Sequence, residues 1–249
     1  MRTLEQLRAL AADMAAQAGV EVRLVHSVED AHVWVSLTDE IWRMPPPANA
    51  LESNLLLALL HTGSYASVAF DGEQPVGVCF GFWHEPAHRT MHSHIAGVRW
   101  ERIGEGIGTA LKYHQAVWLA EHDVDAMTWT FDPLVARNAY FNLVKLGVRV
   151  IEYLPDFYGP MNDGLNAGLP SDRLMVEWRF REEPAPRLPS DTSLLVPVPP
   201  DIEGLRLHDQ DAALLLAIEL RGELAPPLLS GWQVVGFDRA SSSFVLERK

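Results

Sequence analysis

The chain has 249 residues, 48% of them apolar, and carries 33 acidic against 20 basic side chains for a formal net charge of −13. That length can bury a sizeable core, as one large domain or one of average size with an extension. The acidic balance argues against nucleic acid or an anionic membrane surface as partner and is compatible with a cationic small molecule.

The single cysteine, Cys79, excludes an internal disulfide and a zinc site of the Cys-pair type, and it suits a reducing cytosol. Glu5 and Asp13 inside the first apolar pattern argue against a signal peptide, and no apolar run approaches the roughly 18 residues that span a bilayer. A cytoplasmic location is expected.

Residues 3–18 read as an amphipathic helix, with Leu4, Leu7, Leu10, Ala11 and Met14 at helical spacing, Thr3 and Gln6 at capping-box spacing and Gly19 as a stop. A strand follows over Val20–His26, then a helix-rich stretch broken at Pro45-Pro46-Pro47, whose second half runs over Ala48–Leu60. The period then changes. Strands are expected at Ser64–Phe70 and Pro75–Trp83 around an Asp71-Gly72 turn, and at Met91–Trp100. A helix over Gly106–His122 would bury Ile107, Leu111, Ala116, Leu119 and Ala120, and a strand over Ala126–Phe131 follows. Asp132-Pro133 reads as the cap and first turn of another helix ending near Gly147. Strands at Arg149–Leu154 and Leu174–Phe180 close this block. The expected fold is α/β (α+β): a mixed, mostly antiparallel central sheet with flanking helices. Six prolines between Arg181 and Pro200 mark a linker over 182–200. A C-terminal extension over 201–249 holds a helix at Asp211–Leu224 and a hairpin of Trp232–Asp238 with Ser242–Arg248. The first 181 residues form the main domain.

Gly104-Glu-Gly-Ile-Gly108 stands between a strand and a helix. Glycines let the backbone bend sharply and approach a ligand closely. The unpaired N–H groups and positive end of the next helix make an anion site suited to pyrophosphate. The spacing differs from the dinucleotide pattern Gly-x-Gly-x-x-Gly and lacks the Lys-Ser/Thr of a nucleoside-triphosphate loop.

In this context the segment resembles the phosphate loop of the GNAT acyltransferases, Arg/Gln-x-x-Gly-x-Gly/Ala. Ile103 stands where Arg or Gln is usual, with Arg102 and Arg99 just before it. The strand order before the loop, the strand–helix unit after it and the helix end Lys145-Leu146-Gly147 extend the likeness. Recurring segments of one bacterial branch carry it over roughly residues 60–180: Met91-His-Ser-His94, Trp129-Thr-Phe-Asp-Pro-Leu134, Arg137-Asn-Ala139, Asp156-Phe-Tyr-Gly159 and Gly168-Leu-Pro-Ser-Asp-Arg-Leu174.

The resemblance implies an acyl-CoA co-substrate, with the acyl-pantetheine arm between the splayed strands Met91–Val98 and Ala126–Phe131. The cofactor contacts it implies are Val98, Arg99, Arg102, Ile103, Gly104, Glu105, Gly106, Ile107, Gly108, Thr109 and Asn138. A bulge near Gly97 would aim the N–H of Val98 at the thioester carbonyl, where it stabilises the oxyanion formed by amine attack. His92 and His94, two apart on one strand and so on one face, are the candidate bases; an ordinary imidazole titrates near neutrality. Many relatives protonate the leaving thiolate with a tyrosine, at a position held here by Leu143. Tyr140, three residues earlier, is the candidate acid. Asp132 and Arg137 would meet the acceptor's ammonium and carboxylate. The polar loop Pro155–Arg173, with Asp156, Tyr158, Asn162, Asn166, Ser171, Asp172 and Arg173, would wall the acceptor site.

Cys79 lies in an apolar strand and reads as a buried thiol. His84 and His88 are four apart across Pro86, so no metal site is expected. The function this implies is acyl transfer, acetyl by default, to a primary amine of a small molecule. Succinyl transfer from succinyl-CoA to an amino acid is the alternative. A non-catalytic acyl-CoA-binding or sensing module and a generic α/β nucleotide binder are the other readings. A homodimer is compatible with the resemblance.

Overall fold

The structure is a computed structural model and describes residues 1–85, 89–161, 163–166, 168–185 and 188–248. The expectations on Pro86, His88 and Asn162 therefore lie outside the described residues. Two compact units are formed, Met1–Thr128 with Arg179–Glu182, and Trp129–Trp178 with Glu183–Lys249.

The first unit begins with α1 (Leu4–Ala18), which carries the expected capping box. Gln6 N donates to Thr3 Oγ1 at 3.2 Å, and Thr3 N donates to Gln6 Oε1 at 2.8 Å. Gly19 ends the helix at φ 64°, where a side chain would be strained. β1 (Glu21–Leu24) leads to α2 (Val28–Trp42), capped by reciprocal Ser27 and Asp30 bonds. The proline run breaks the chain as expected, but α3 is Ser53–His61 and starts five residues later than the periodicity suggested. Ala48 N instead bonds Pro45 O, and Ala50 N bonds the Asp39 carboxylate at 2.8 Å, tying this turn to α2.

β2 (Tyr65–Asp71), β3 (Gln74–Trp83) and β4 (Met91–Val98) continue an antiparallel order β1-β2-β3-β4. After a 3-10 turn at Trp100–Arg102 comes α4 (Ile107–Glu121), and then β5 (Met127–Phe131), which pairs with β4 in parallel. One sheet face buries Trp34, Leu37, Ile41, Leu56, Val78, Phe80 and Ile95 together, and Trp34 Nε1 donates to the Cys79 carbonyl at 3.2 Å. On the other face all five residues expected to be buried on α4 are buried.

The bulge in β4 is not near Gly97. Gly97 sits in regular register opposite Val78, whereas Phe80 opposes Ile95 and Phe82 opposes His92, so the extra residue lies at Ser93–His94. Gly97 is required by a neighbour instead: an added Cβ would stand 2.4 Å from Trp42 Cη2 and 2.6 Å from Cζ3. Gly97→Ala should therefore lower unfolding stability in urea by about 1–3 kcal/mol. An unchanged midpoint would mean that Trp42 simply swings aside.

In the sheet order β5 is followed by β7 (Arg173–Trp178), which pairs antiparallel with β6 (Arg149–Leu154). Asp132 is not a helix cap. Its Oδ1 accepts from Leu134 N two residues on, and α5 (Ala136–Tyr140) starts later, behind Val135, with no side-chain cap. The helix finishes as a π-helical turn, Phe141–Leu146, and stops at Gly147 with φ 69°. Asn142 explains the widened turn: its Nδ2 donates to the Asn138 carbonyl and its Oδ1 accepts from Trp129 Nε1.

The proline-rich stretch is more than a connector, because Leu194–Pro197 is a strand, β8. α6 (Ile202–His208), α7 (Gln210–Leu229) and the expected hairpin of β9 (Trp232–Asp238) and β10 (Ser243–Arg248) follow. β8 pairs with β10 in the order β8-β10-β9, with Pro197 at the end of an edge strand, where proline is tolerated. The fold class is as expected: mixed α/β, with mostly antiparallel pairing and helices on the sheet faces. No described helix is long and apolar enough to cross a membrane.

Candidate active site

The parallel ladder between β4 and β5 is two pairs long, Met91↔Met127 and His92↔Thr128, although both strands run on. It stops where the β4 bulge begins. Beyond the bulge, Arg99 N donates to Val76 O at 2.9 Å, so Gly77 and Val98 form a pair that does not exchange hydrogen bonds. Backbone groups alternate along an antiparallel strand. The N–H of Val98 therefore points away from β3.

His92 is 8% exposed, and it stands directly opposite Phe82 on β3. Its ring lies 5.4 Å from that of Phe82, 5.8 Å from that of His94 and 6.0 Å, edge-on, from that of His84. His94 is exposed on one side and packs against Phe82 at 5.6 Å on the other. The two candidate bases are thus brought together. His84 Nε2 and Thr128 Oγ1 share a hydrogen bond of 2.8 Å. From the sequence His84 is weighed only as a metal ligand and Thr128 not at all, and nothing in their spacing points to this contact.

The proton affinity of His92 is not the ordinary one expected. Burial first, then the neighbouring His94, His84 and Lys112, push its pKa down to about 4. Burial lowers that of His94 too. Both rings are neutral at pH 7 and can accept a proton, at the expense of basicity.

In the glycine loop, Gly104 and Gly106 adopt φ 96° and 91°, a region that side chains rarely enter. A Cβ at Gly104 would meet nothing within 4 Å, and one at Gly106 would meet only Ala18 Cβ at 3.7 Å. α4 begins at once behind Gly106 with no side-chain cap, which leaves first-turn N–H groups for a ligand. An open, donor-lined loop at the positive end of a 15-residue helix fits a pyrophosphate.

The neighbouring arginines are already engaged. Arg102 bonds Glu105 at 2.6 Å and Asp71 at 2.9 Å. Arg99 donates to the Pro75 carbonyl and pairs with Glu40 of α2. A phosphate would have to compete with these acids. Ile103 and Gly108 are partly buried, Ile107 is in the core, and Thr109 N closes on the Gly106 carbonyl.

Within the second unit, helix α6 draws the expected acceptor residues into ion pairs. Arg206 Nη2 bonds Asp132 Oδ2 at 2.6 Å, and its Nη1 reaches Asn166 Oδ1 at 3.2 Å. Glu203 pairs with Arg137 at 2.8 Å. The hydroxyls of Tyr158 and Thr130 lie 3.0 Å apart. Tyr140 is partly buried, with the Arg239 guanidinium 5.1 Å over its ring, and Leu143 is core. Glu203 and Arg206 were missed because the faint tail gave no reason to pair it with residues some seventy positions earlier. Among the described residues, no group of three or more His, Cys, Asp or Glu side chains could hold a metal ion.

The fold is similar to that of solved structures assigned as GNAT-family acetyltransferases. A protein from Desulfovibrio desulfuricans assigned to that family matches at TM-score 0.50 with 14% identity, over 65% of this chain and 99% of its own. A Salmonella typhimurium protein assigned as an acetyltransferase, solved with its cofactor acetyl-CoA, matches at TM-score 0.52 with 13% identity, over 68% and 98%. No family model and no curated protein sequence matches. The likeness is therefore one of fold.

Proposed function

We propose that the chain transfers an acyl group, acetyl by default, from acyl-CoA to a primary amine of a small molecule by direct attack in a ternary complex in the cytoplasm. The observation that carries this reading is the alignment, within a GNAT fold, of a strand ladder that stops after two pairs with an open glycine loop at an uncapped helix. Residues 1–181 are the acyltransferase part, 182–200 the Pro-rich stretch that contains β8, and 201–249 an extension.

In this scheme the main-chain N–H groups of Gly104–Gly108 hold the pyrophosphate, aided by Arg102 once it leaves its acids. Arg99, Ile103, Glu105, Thr109 and Asn138 border the co-substrate. The amine nitrogen bonds to the thioester carbon, and the Val98 N–H stabilises the resulting oxyanion. His92, with His94 beside it, takes the amine proton. The C–S bond then breaks, and Tyr140 or water protonates the thiolate. Asp132, Arg137, Tyr158 and Asn166 serve the acceptor. An acceptor with a carboxylate, and succinyl-CoA as donor, is the alternative within this class.

Leu143, packed in the core at the position where the resemblance implies a tyrosine acid, together with Ile103 in the loop, favours a second reading, in which acyl-CoA is bound and sensed without turnover. Thiol release from acetyl-CoA and succinyl-CoA, with pooled amino acids and polyamines as acceptors, separates the readings. Acceptor-dependent release from one donor is the expected result. CoA binding with no release from any pool would sink the transferase and leave the sensor.

A further inference from the structure

A lysine is almost never fully buried unless something holds it. Lys112 of α4 is 2% exposed. Its Nζ donates to Ser93 Oγ at 2.8 Å, and Ser93 in turn donates to Gln115 Oε1 at 2.7 Å. The Cys79 thiol donates to the same oxygen at 3.4 Å. Ser93 is 3% exposed, while Gln115 and Cys79 are fully buried. The space is tight: a Cβ on Gly81 would stand 2.7 Å from Gln115 Nε2 and 2.9 Å from the His92 carbonyl.

Ser93 belongs to the β4 bulge and lies between His92 and His94 in sequence, at the point where pairing with β5 ends. The chain thus spends a buried cation and a buried amide on one serine hydroxyl in the β4 bulge. Ordinary packing would fill this place with apolar side chains. Leu111, Ala116 and Leu119 do so on the same helix.

We propose that Lys112 is a positioning residue of the acyl-transfer site: it fixes the β4 bulge through Ser93 and supplies a buried positive charge beside His92. The inference rests on the acyltransferase reading. Low local polarity strengthens the action of that charge on the groups beside it. The same charge disfavours a proton on His92, which faces His84, His94 and Lys112. Burial lowers the Lys112 pKa to about 8, with the Cys79 thiol opposing. The ammonium form therefore prevails at pH 7 and is lost as pH rises through about 8.

The test compares wild type with Lys112→Met, which keeps the shape and removes the charge. The His92 imidazole is titrated by NMR in the absence of substrate, alongside kcat, KM for acyl-CoA and the affinity for CoA. In the variant the His92 titration is expected to move to higher pH, kcat to fall on the order of tenfold and CoA affinity to stay within about threefold. A folded variant with an unmoved His92 titration overturns the proposal. So does a loss confined to CoA affinity. If K112M does not fold, Ser93→Ala cuts the link to the bulge and is expected to lower kcat with CoA affinity retained. Unchanged kcat in S93A overturns the clamp. Absence of thiol release from wild type would instead remove the acyltransferase reading, and the His92 titration alone would decide the electrostatic claim.

Discussion

Replacing His92 with glutamine is expected to reduce acceptor-dependent thiol release by roughly 10²- to 10³-fold while leaving CoA affinity within about threefold, because proton transfer by a placed side chain contributes on that scale. Glutamine preserves most of the volume against Phe82, His84 and His94 but cannot accept the proton as imidazole does. The pH dependence makes the result specific. His92 is held near 4 by burial, two neighbouring imidazoles and Lys112, so the acid limb of kcat/KM due to this group belongs near pH 4 rather than near 6.5. The sign for stability follows from the same shift. The unfolded ring binds a proton near 6.5 and the folded one only near 4. Its stabilising contribution is therefore complete above 6.5 and is lost as pH falls through that window. The full effect is at most about 3 kcal/mol. Urea midpoints between pH 7 and 4.5 should fall more steeply for wild type than for His92→Gln. Equal activity in H92Q would assign the base elsewhere, with His94 the first place to look.

The double substitution Gly104→Ala, Gly106→Ala should weaken CoA binding by on the order of ten- to a hundredfold with only a modest loss of melting temperature. Both residues sit at φ above 90°, and a left-handed non-glycine residue costs roughly 1–2 kcal/mol each. Neither added methyl meets protein atoms closer than 3.7 Å, so the fold can accept the change by moving the loop. The first-turn donors of α4 move with it. Calorimetric titration with CoA reads this directly, and an affinity within twofold of wild type would take the loop out of phosphate binding.

Most of the fold was legible along the chain because its signals are local. The Thr3–Gln6 box, the Asp71-Gly72 turn, the buried stripe of α4 and the closing hairpin each depend on residues close in sequence, and each appears as read. The misreadings share a cause. Asp132-Pro133 has the composition of a helix start, yet the Asp132 carboxylate is claimed by Leu134 N and by Arg206, 74 positions later. The expected linker becomes β8 because β10 offers an open edge, and a strand is completed by its partner rather than by its own sequence. Gly97 looked like a bulge marker, while the reason for the glycine is the Trp42 ring from α2.

The sequence by itself determined the order of helices and strands, the glycine loop at a helix start and the pair of histidines on one strand, since periodicity, capping and backbone freedom act over a few residues. Only the tertiary structure decided the chemistry those residues can do. Proton affinity depends on what surrounds a ring, and His84, His94 and Lys112 come from three separate segments. A cation buried under a strand, like a bulge at Ser93–His94 rather than near Gly97, exists only once the elements are packed against one another.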